Sequence, residues 1–262
     1  MTFALTWLPG VFKDAGLKVA EVEGWESRGR AEMSAVAGII CHHTAGPLQG
    51  NMPSLGTLIK GRSDLPGPLS QLGLGRDGTF YVIAAGRSNH GGEGVWKGVS
   101  GNSRFIGIEA ENTGLTNDTP WPEVQMDAYR RGAAAILRHL GKSASDCAGH
   151  KEYALPKGRK DDPDFDMYAF RAGVGAILDG TAPAPVLIPA STASTIAGAP
   201  DLPTVRRGHT GAFVKRLQDL IGVMADGYFG PQTESAVRER QRGLSLVPDG
   251  IVGPKTWAAL SQ

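Results

Sequence analysis

The pair His42–His43 closes the apolar run begun by Gly38, and another histidine, His150, opens the charged stretch HKEYALPKGRKDDPDFD at 150–166. Imidazoles and carboxylates are ligands for a catalytic zinc, which takes three protein donors and keeps a fourth position for a small molecule. Side chains alternate between faces along a strand, so only one of His42 and His43 can join such a site. Together with His150 and one of Asp161, Asp162 or Asp164 it would complete the donor set. Glu109, inside FIGIEAEN at 105–112, adds a second feature. A carboxylate in an apolar strand is costly to bury without a partner or a task; the alternative is a face open to water, which Glu111 would share. The chemistry on offer is that of a catalytic metal with an open position for water. His139, on the polar side of a helix, and His209, in a loop, read as solvated. Cys41 and Cys147 lack the CxxC spacing of a structural zinc site and read as free, partly buried thiols.

These residues need a scaffold, and the pattern supplies one. GIICHH (38–43) reads as a buried strand. LGLG (72–75) and FYVIAAG (80–86) flank the turn signal RDG and read as a hairpin. FIGIEAEN is a strand with Ile106, Ile108 and Ala110 on one face and Phe105, Gly107, Glu109 and Glu111 on the other. From Pro122 to Leu140, Met126, Tyr129, Ala133, Ile136 and Leu140 recur at helical steps, and a last helix is predicted over 165–178. The fold class that follows is α/β, a central mixed sheet flanked by helices.

The chain also divides. Residues 181–203 carry five prolines among small Ala, Ser and Thr, the composition of a semi-stiff linker between 1–180 and 204–262. Within the tail, DGYFGPQT (226–233) and DGIVGPKT (249–256) repeat the same turn and helix start 23 residues apart, which predicts a small three-helix bundle with two similar loops. The tail has eight Lys/Arg against five Asp/Glu, within a chain of net charge +1. That balance gives no global basic field for nucleic acid, and no segment approaches the ~20 apolar residues that span a bilayer. The first 25 residues lack a basic start and a continuous apolar run, so no signal peptide is expected and synthesis in a cytoplasm is.

Four blocks, IICHHTAG (39–46), RDGTFYVIAAGRSNHGG (76–92), IGIEAEN (106–112) and GHKEY…GRKDDPDFD (149–166), together resemble the type 2 zinc-dependent N-acetylmuramoyl-L-alanine amidases, a fold shared with phage lysozyme-like amidases and animal peptidoglycan recognition proteins. The tail resembles the type 1 peptidoglycan-binding domain. The resemblance implies a Zn2+ held by His42, His150 and Asp162, with Glu109 as catalytic acid/base, Lys160 stabilising the oxyanion and His90 on the substrate groove. His43 would then face away. The family's tyrosine ahead of the hairpin turn is replaced by PLSQLGLG, leaving proton handling to Glu109 alone. The implied activity is cleavage of the amide between N-acetylmuramic acid and L-alanine of the stem peptide. The implied setting is a bacteriophage endolysin reaching bacterial peptidoglycan after release by a holin. The alternatives are a recognition protein that binds peptidoglycan without cutting it and a zinc peptidase acting within the stem peptide.

Overall fold

A computed structural model describes residues 3–186, 202–244, 246 and 248–260. The chain forms two compact units, Met1–Ile188 and Pro189–Gln262. Most of the linker expected over 181–203 lies outside the described residues.

In chain order the first unit runs α1 (Leu8–Asp14), β1 (Val19–Glu21), β2 (Gly38–His43), α2 (Leu55–Lys60), β3 (Gly61–Arg62), β4 (Leu65–Pro66), β5 (Leu72–Leu74), β6 (Phe80–Val82), β7 (Phe105–Ala110), α3 (Glu123–His139), β8 (Cys147–Gly149), α4 (His150–Tyr153) and α5 (Met167–Leu178). A six-stranded sheet has the order β1-β6-β5-β7-β2-β8. Only the β5–β6 pair, joined by the hairpin at Asp77–Gly78, is antiparallel. Strand β2 is buried along its whole length between β7 and β8, which is why it reads as a continuous apolar run. Strand β6 stops at Val82, short of the expected FYVIAAG: the next amides, of Ile83 and Ala84, both turn onto the Gln71 carbonyl.

The two sheet faces have different roles. Ile39 and Cys41 of β2, and Ile106, Ile108 and Ala110 of β7, pack with α1, α3 and α5 into the main core, around Phe12, Tyr129 and Phe170. Helix α5 begins where the Asp166 carboxylate accepts from the Tyr168 and Ala169 amides. The opposite face carries Ile40 and Phe105 in a smaller cluster with Tyr153, and then His42 and Glu109 at the strand ends.

The second unit holds α6 (Ala212–Ile221), α7 (Pro231–Gly243) and α8 (Pro254–Leu260) around Val214, Leu217, Phe229, Val237, Val252 and Trp257. Its two loops are built alike. Gln218 Nε2 donates to Asp226 Oδ1 and the Tyr228 carbonyl while its Oε1 accepts from the Gly227 amide. Gln241 does the same with Asp249, Ile251 and Gly250. Among the described residues, no helix is long and apolar enough to cross a membrane.

Candidate metal centre

Parallel pairing of β2 with β7 sets His42 directly opposite Glu109, so both side chains leave the sheet on one face. His42 is 1 % exposed, and its ring meets two groups from far along the chain. Its Nδ1 is 3.1 Å from His150 Nδ1 and 3.0 Å from Asp162 Oδ2, and His150 Nδ1 is likewise 3.0 Å from Asp162 Oδ2.

Local structure fixes each partner. Strand β8 lies beside β2 with Cys41 opposite Gly149, which delivers His150 to the first position of α4. The turn there is held by the Glu152 carboxylate, which accepts from the Gly149 amide at 2.8 Å and pairs with both arms of Arg171 at 2.7 and 2.9 Å. Asp162 is tied back to the same turn by the Lys151 amide donating to its carbonyl at 2.6 Å. Of the three candidate acids, only Asp162 enters the site; Asp161 is exposed. Asp164 instead accepts from Trp121 Nε1 at 2.8 Å and lies 3.6 Å from His43 Nδ1, on the other side of β2. His43 therefore faces away from His42, as the strand alternation requires.

The donor set fits a zinc ion. His150 Nε2 lies 3.0 Å from the Gly91 carbonyl, an acceptor only, so that nitrogen bears the proton and Nδ1 presents a lone pair. A lone pair facing a carboxylate oxygen at 3.0 Å is repulsive until a cation stands between them. Three donors bound at about 2.0–2.1 Å in a tetrahedron are separated by roughly 3.3 Å, close to the 3.0–3.1 Å seen here. Among the described residues this is the one cluster of three or more His, Cys, Asp or Glu able to hold a metal.

The electrostatics of the pocket are divided. Burial pushes the Asp162 carboxyl up, but the two imidazoles beside it outweigh that and hold it well below the usual carboxylate range. Burial lowers His42 to about 4 and His90 well below 6.5. Glu109 goes the other way: burial raises it well above 4.5, the Asp162 charge raises it further, and Lys160 pulls it partly back. Its Oε1 lies 3.9 Å from His42 Nδ1, and its Oε2 is buried with no hydrogen-bond partner among the described residues. Lys160 is exposed on the loop that carries Asp162, and its charge reaches His42 and Glu109.

Two further side chains near the site are enclosed. The face of β7 beyond Glu109 is not open to water. Glu111 is fully buried, accepting from Thr44 Oγ1 at 2.7 Å, Ser54 Oγ at 2.9 Å and the Ser54 amide at 2.9 Å, and so ties the 44–54 segment to the sheet. His90 is 7 % exposed, with Nδ1 at 3.2 Å from His42 Nε2 and Nε2 at 3.2 Å from the Phe105 carbonyl. Tyr129 was read only as part of an apolar helix face. Its hydroxyl accepts from the His42 amide at 3.0 Å and reaches the Ile108 carbonyl at 2.9 Å, bracing the strand under the site. The mid-strand position of Gly107 was the available signal for His90, since a Cβ there would stand 2.6 Å from that ring. Cys41 and Cys147 are free and fully buried, their sulfurs 3.3 Å apart behind the sheet.

Residues 32–165 match the model of the family described as N-acetylmuramoyl-L-alanine amidase, and residues 212–260 match that of a putative peptidoglycan binding domain. An uncharacterized protein of Kitasatospora aureofaciens is 39 % identical over 98 residues, covering 34 % of this chain and 79 % of that protein. The endolysin of Burkholderia AP3 phage is 41 % identical over 22 % of this chain, a stretch that spans only 25 % of the endolysin, with a TM-score of 0.22. The endolysin amidase LysCS from Clostridium intestinale is 22 % identical over 59 % of this chain and 93 % of its own, with a TM-score of 0.41.

Proposed function

The chain belongs to the N-acetylmuramoyl-L-alanine amidase family, and on that premise we propose that it is a zinc-dependent peptidoglycan hydrolase. It cuts the amide between N-acetylmuramic acid and L-alanine of the stem peptide. The observation that carries the reading is the convergence of His42, His150 and Asp162 beside a half-buried carboxylate, Glu109, one of whose oxygens is buried without a hydrogen-bond partner among the described residues.

His42, His150 and Asp162 are the residues that would hold the ion, which when bound supplies a positive charge that polarises the scissile carbonyl and acidifies water. Glu109 accepts the proton of the attacking water and delivers it to the departing L-alanine amine. Its raised affinity for a proton suits both halves of that exchange, since it is a stronger base than an exposed carboxylate and a competent acid afterwards. Lys160, extended from the Asp162 loop, places a cation beside the carbonyl oxygen as negative charge grows on it. The C-terminal unit anchors the catalyst to the wall and raises its local concentration there. Amidase first and wall binder last is the arrangement of an endolysin, and we assign the chain that biological role.

The test is zinc content followed by product analysis after digestion of purified peptidoglycan. One zinc per chain with new L-alanine amino termini is the expected result. Zinc without new termini would convert the reading to a recognition protein, and new termini elsewhere in the stem would convert it to a peptidase.

A further inference from the structure

The NHGG segment at 89–92 holds the His90 ring against His42. Its backbone is pinned on both sides of His90. The Asn89 amide donates to the Pro68 carbonyl at 2.9 Å, Asn89 Nδ2 donates to the Pro66 carbonyl at 2.9 Å, and the Gly91 amide donates to Asn102 Oδ1 at 2.8 Å. The His90 ring itself rests against the Cα of Gly107, where any larger residue would displace it.

The hydrogen-bond chain through this ring has one consistent direction. The Phe105 carbonyl can only accept, so His90 Nε2, at 3.2 Å, carries the proton. A neutral His90 then has a bare Nδ1. That atom faces His42 Nε2 at 3.2 Å, so His42 must carry its own proton on Nε2. The consequence falls on the other side of the ring: His42 Nδ1 is a lone pair, directed at His150 and Asp162. The next residue does the same for His150, because the Gly91 carbonyl accepts from His150 Nε2 at 3.0 Å. Two consecutive residues of one pinned loop thus orient both histidines.

We propose that the 89–91 loop is the tautomer clamp of the metal centre, with His90 a positioning residue that commits His42 to bind through Nδ1. The inference rests on the metal reading of the site. Metal-bound histidines commonly donate their second nitrogen to a carboxylate or a carbonyl, and loss of such a partner costs about 10–100-fold in metal affinity. Here an imidazole stands between His42 and the carbonyl. Its neutrality has a physical use: a carboxylate at this position would add a third anion next to Asp162 and Glu109, strengthening the repulsion that already disfavours an ionised Glu109.

The first test uses the unmutated full-length chain loaded with zinc. Imidazole 15N shifts near neutral pH should show His42 bound through Nδ1 and protonated at Nε2, with His90 protonated at Nε2. A His42 bound through Nε2, or a His90 protonated at Nδ1, overturns the clamp even if the chain cuts peptidoglycan, so its failure is separable from failure of the functional reading. The second test is zinc affinity by competition with a chelator. His90→Phe keeps a ring and removes both nitrogens, and should weaken binding about 10–100-fold. His90→Gln, which retains an acceptor and a donor, should recover part of that loss. Unchanged affinity in His90→Phe, or equal losses in both variants, would refute the proposal.

Discussion

Gln218 in the C-terminal unit and Glu109 in the N-terminal unit are both polar side chains withdrawn from water, yet they end in opposite conditions. The Gln218 amide is fully engaged at both ends by its own loop, and Gln241 repeats the arrangement 23 residues later. Glu109 has one oxygen without a partner and an anion, Asp162, close enough to oppose its ionisation. Glu111, just past the end of β7, shows that a buried carboxylate can be satisfied here, because neutral donors from Thr44 and Ser54 surround it. What separates these positions is therefore supply of donors rather than burial. A loop whose task is to hold a shape satisfies its buried groups, whereas a site that must exchange a proton keeps one group short of partners.

The contrast can be broken most forcefully at the donor set. His150→Ala or Asp162→Ala should abolish stoichiometric zinc and lower release of L-alanine amino termini by at least ~10⁴-fold. Full activity in either, measured with zinc content on the same sample, would end the metal reading. Glu109→Gln should keep zinc while turnover falls about 10²–10⁴-fold.

The same variant sharpens the comparison through stability. Because burial raises Glu109, its contribution to folding is complete below 4.5 and is lost as pH rises through the raised value. His42 runs in the opposite sense: its contribution is present above 6.5 and lost as pH falls through about 4. Thermal midpoints of chelator-treated protein from pH 4 to 8 should thus show Glu109→Gln gaining on the wild type as pH increases.

Smaller effects belong to the wall-binding unit. Removing residues 203–262 should reduce activity on intact walls about tenfold or more and leave soluble fragments cut at the original rate. Equal wall activity with and without the tail would remove its assigned role. Gln218→Leu and Gln241→Leu should each cost that unit about 1–3 kcal/mol, by stranding a loop amide and its carbonyls. Similar costs in the two loops, read from denaturant unfolding, would verify that the repeat is energetic as well as sequential.

Much of the catalytic unit was readable in one dimension because its signals are local. The run Gly38–Cys41 announced a buried strand, RDG a hairpin, and the steps from Met126 to Leu140 a helix that spans Glu123–His139. What was not legible depends on distant groups. The ring of His90 meets the Phe105 carbonyl and His42. The carboxylate of Glu111 is enclosed by the 44–54 segment, which excludes the alternative of a wet face.

Residue type and strand periodicity, both properties of neighbouring residues, determined by themselves that only one of His42 and His43 could serve the site, that imidazole and carboxylate were its donors, and that the tail held two equivalent loops. Spacing left three acids open and the family resemblance pointed to Asp162; tertiary structure brought Asp162 into the donor triangle, set Glu109 opposite His42, and let the 89–91 loop orient both histidines. The physical reason is distance along the chain. His42 lies 108 residues from His150 and 120 from Asp162, and parallel sheet pairing, set by the packing of whole strands and helices, is what brings such residues within 3.1 Å.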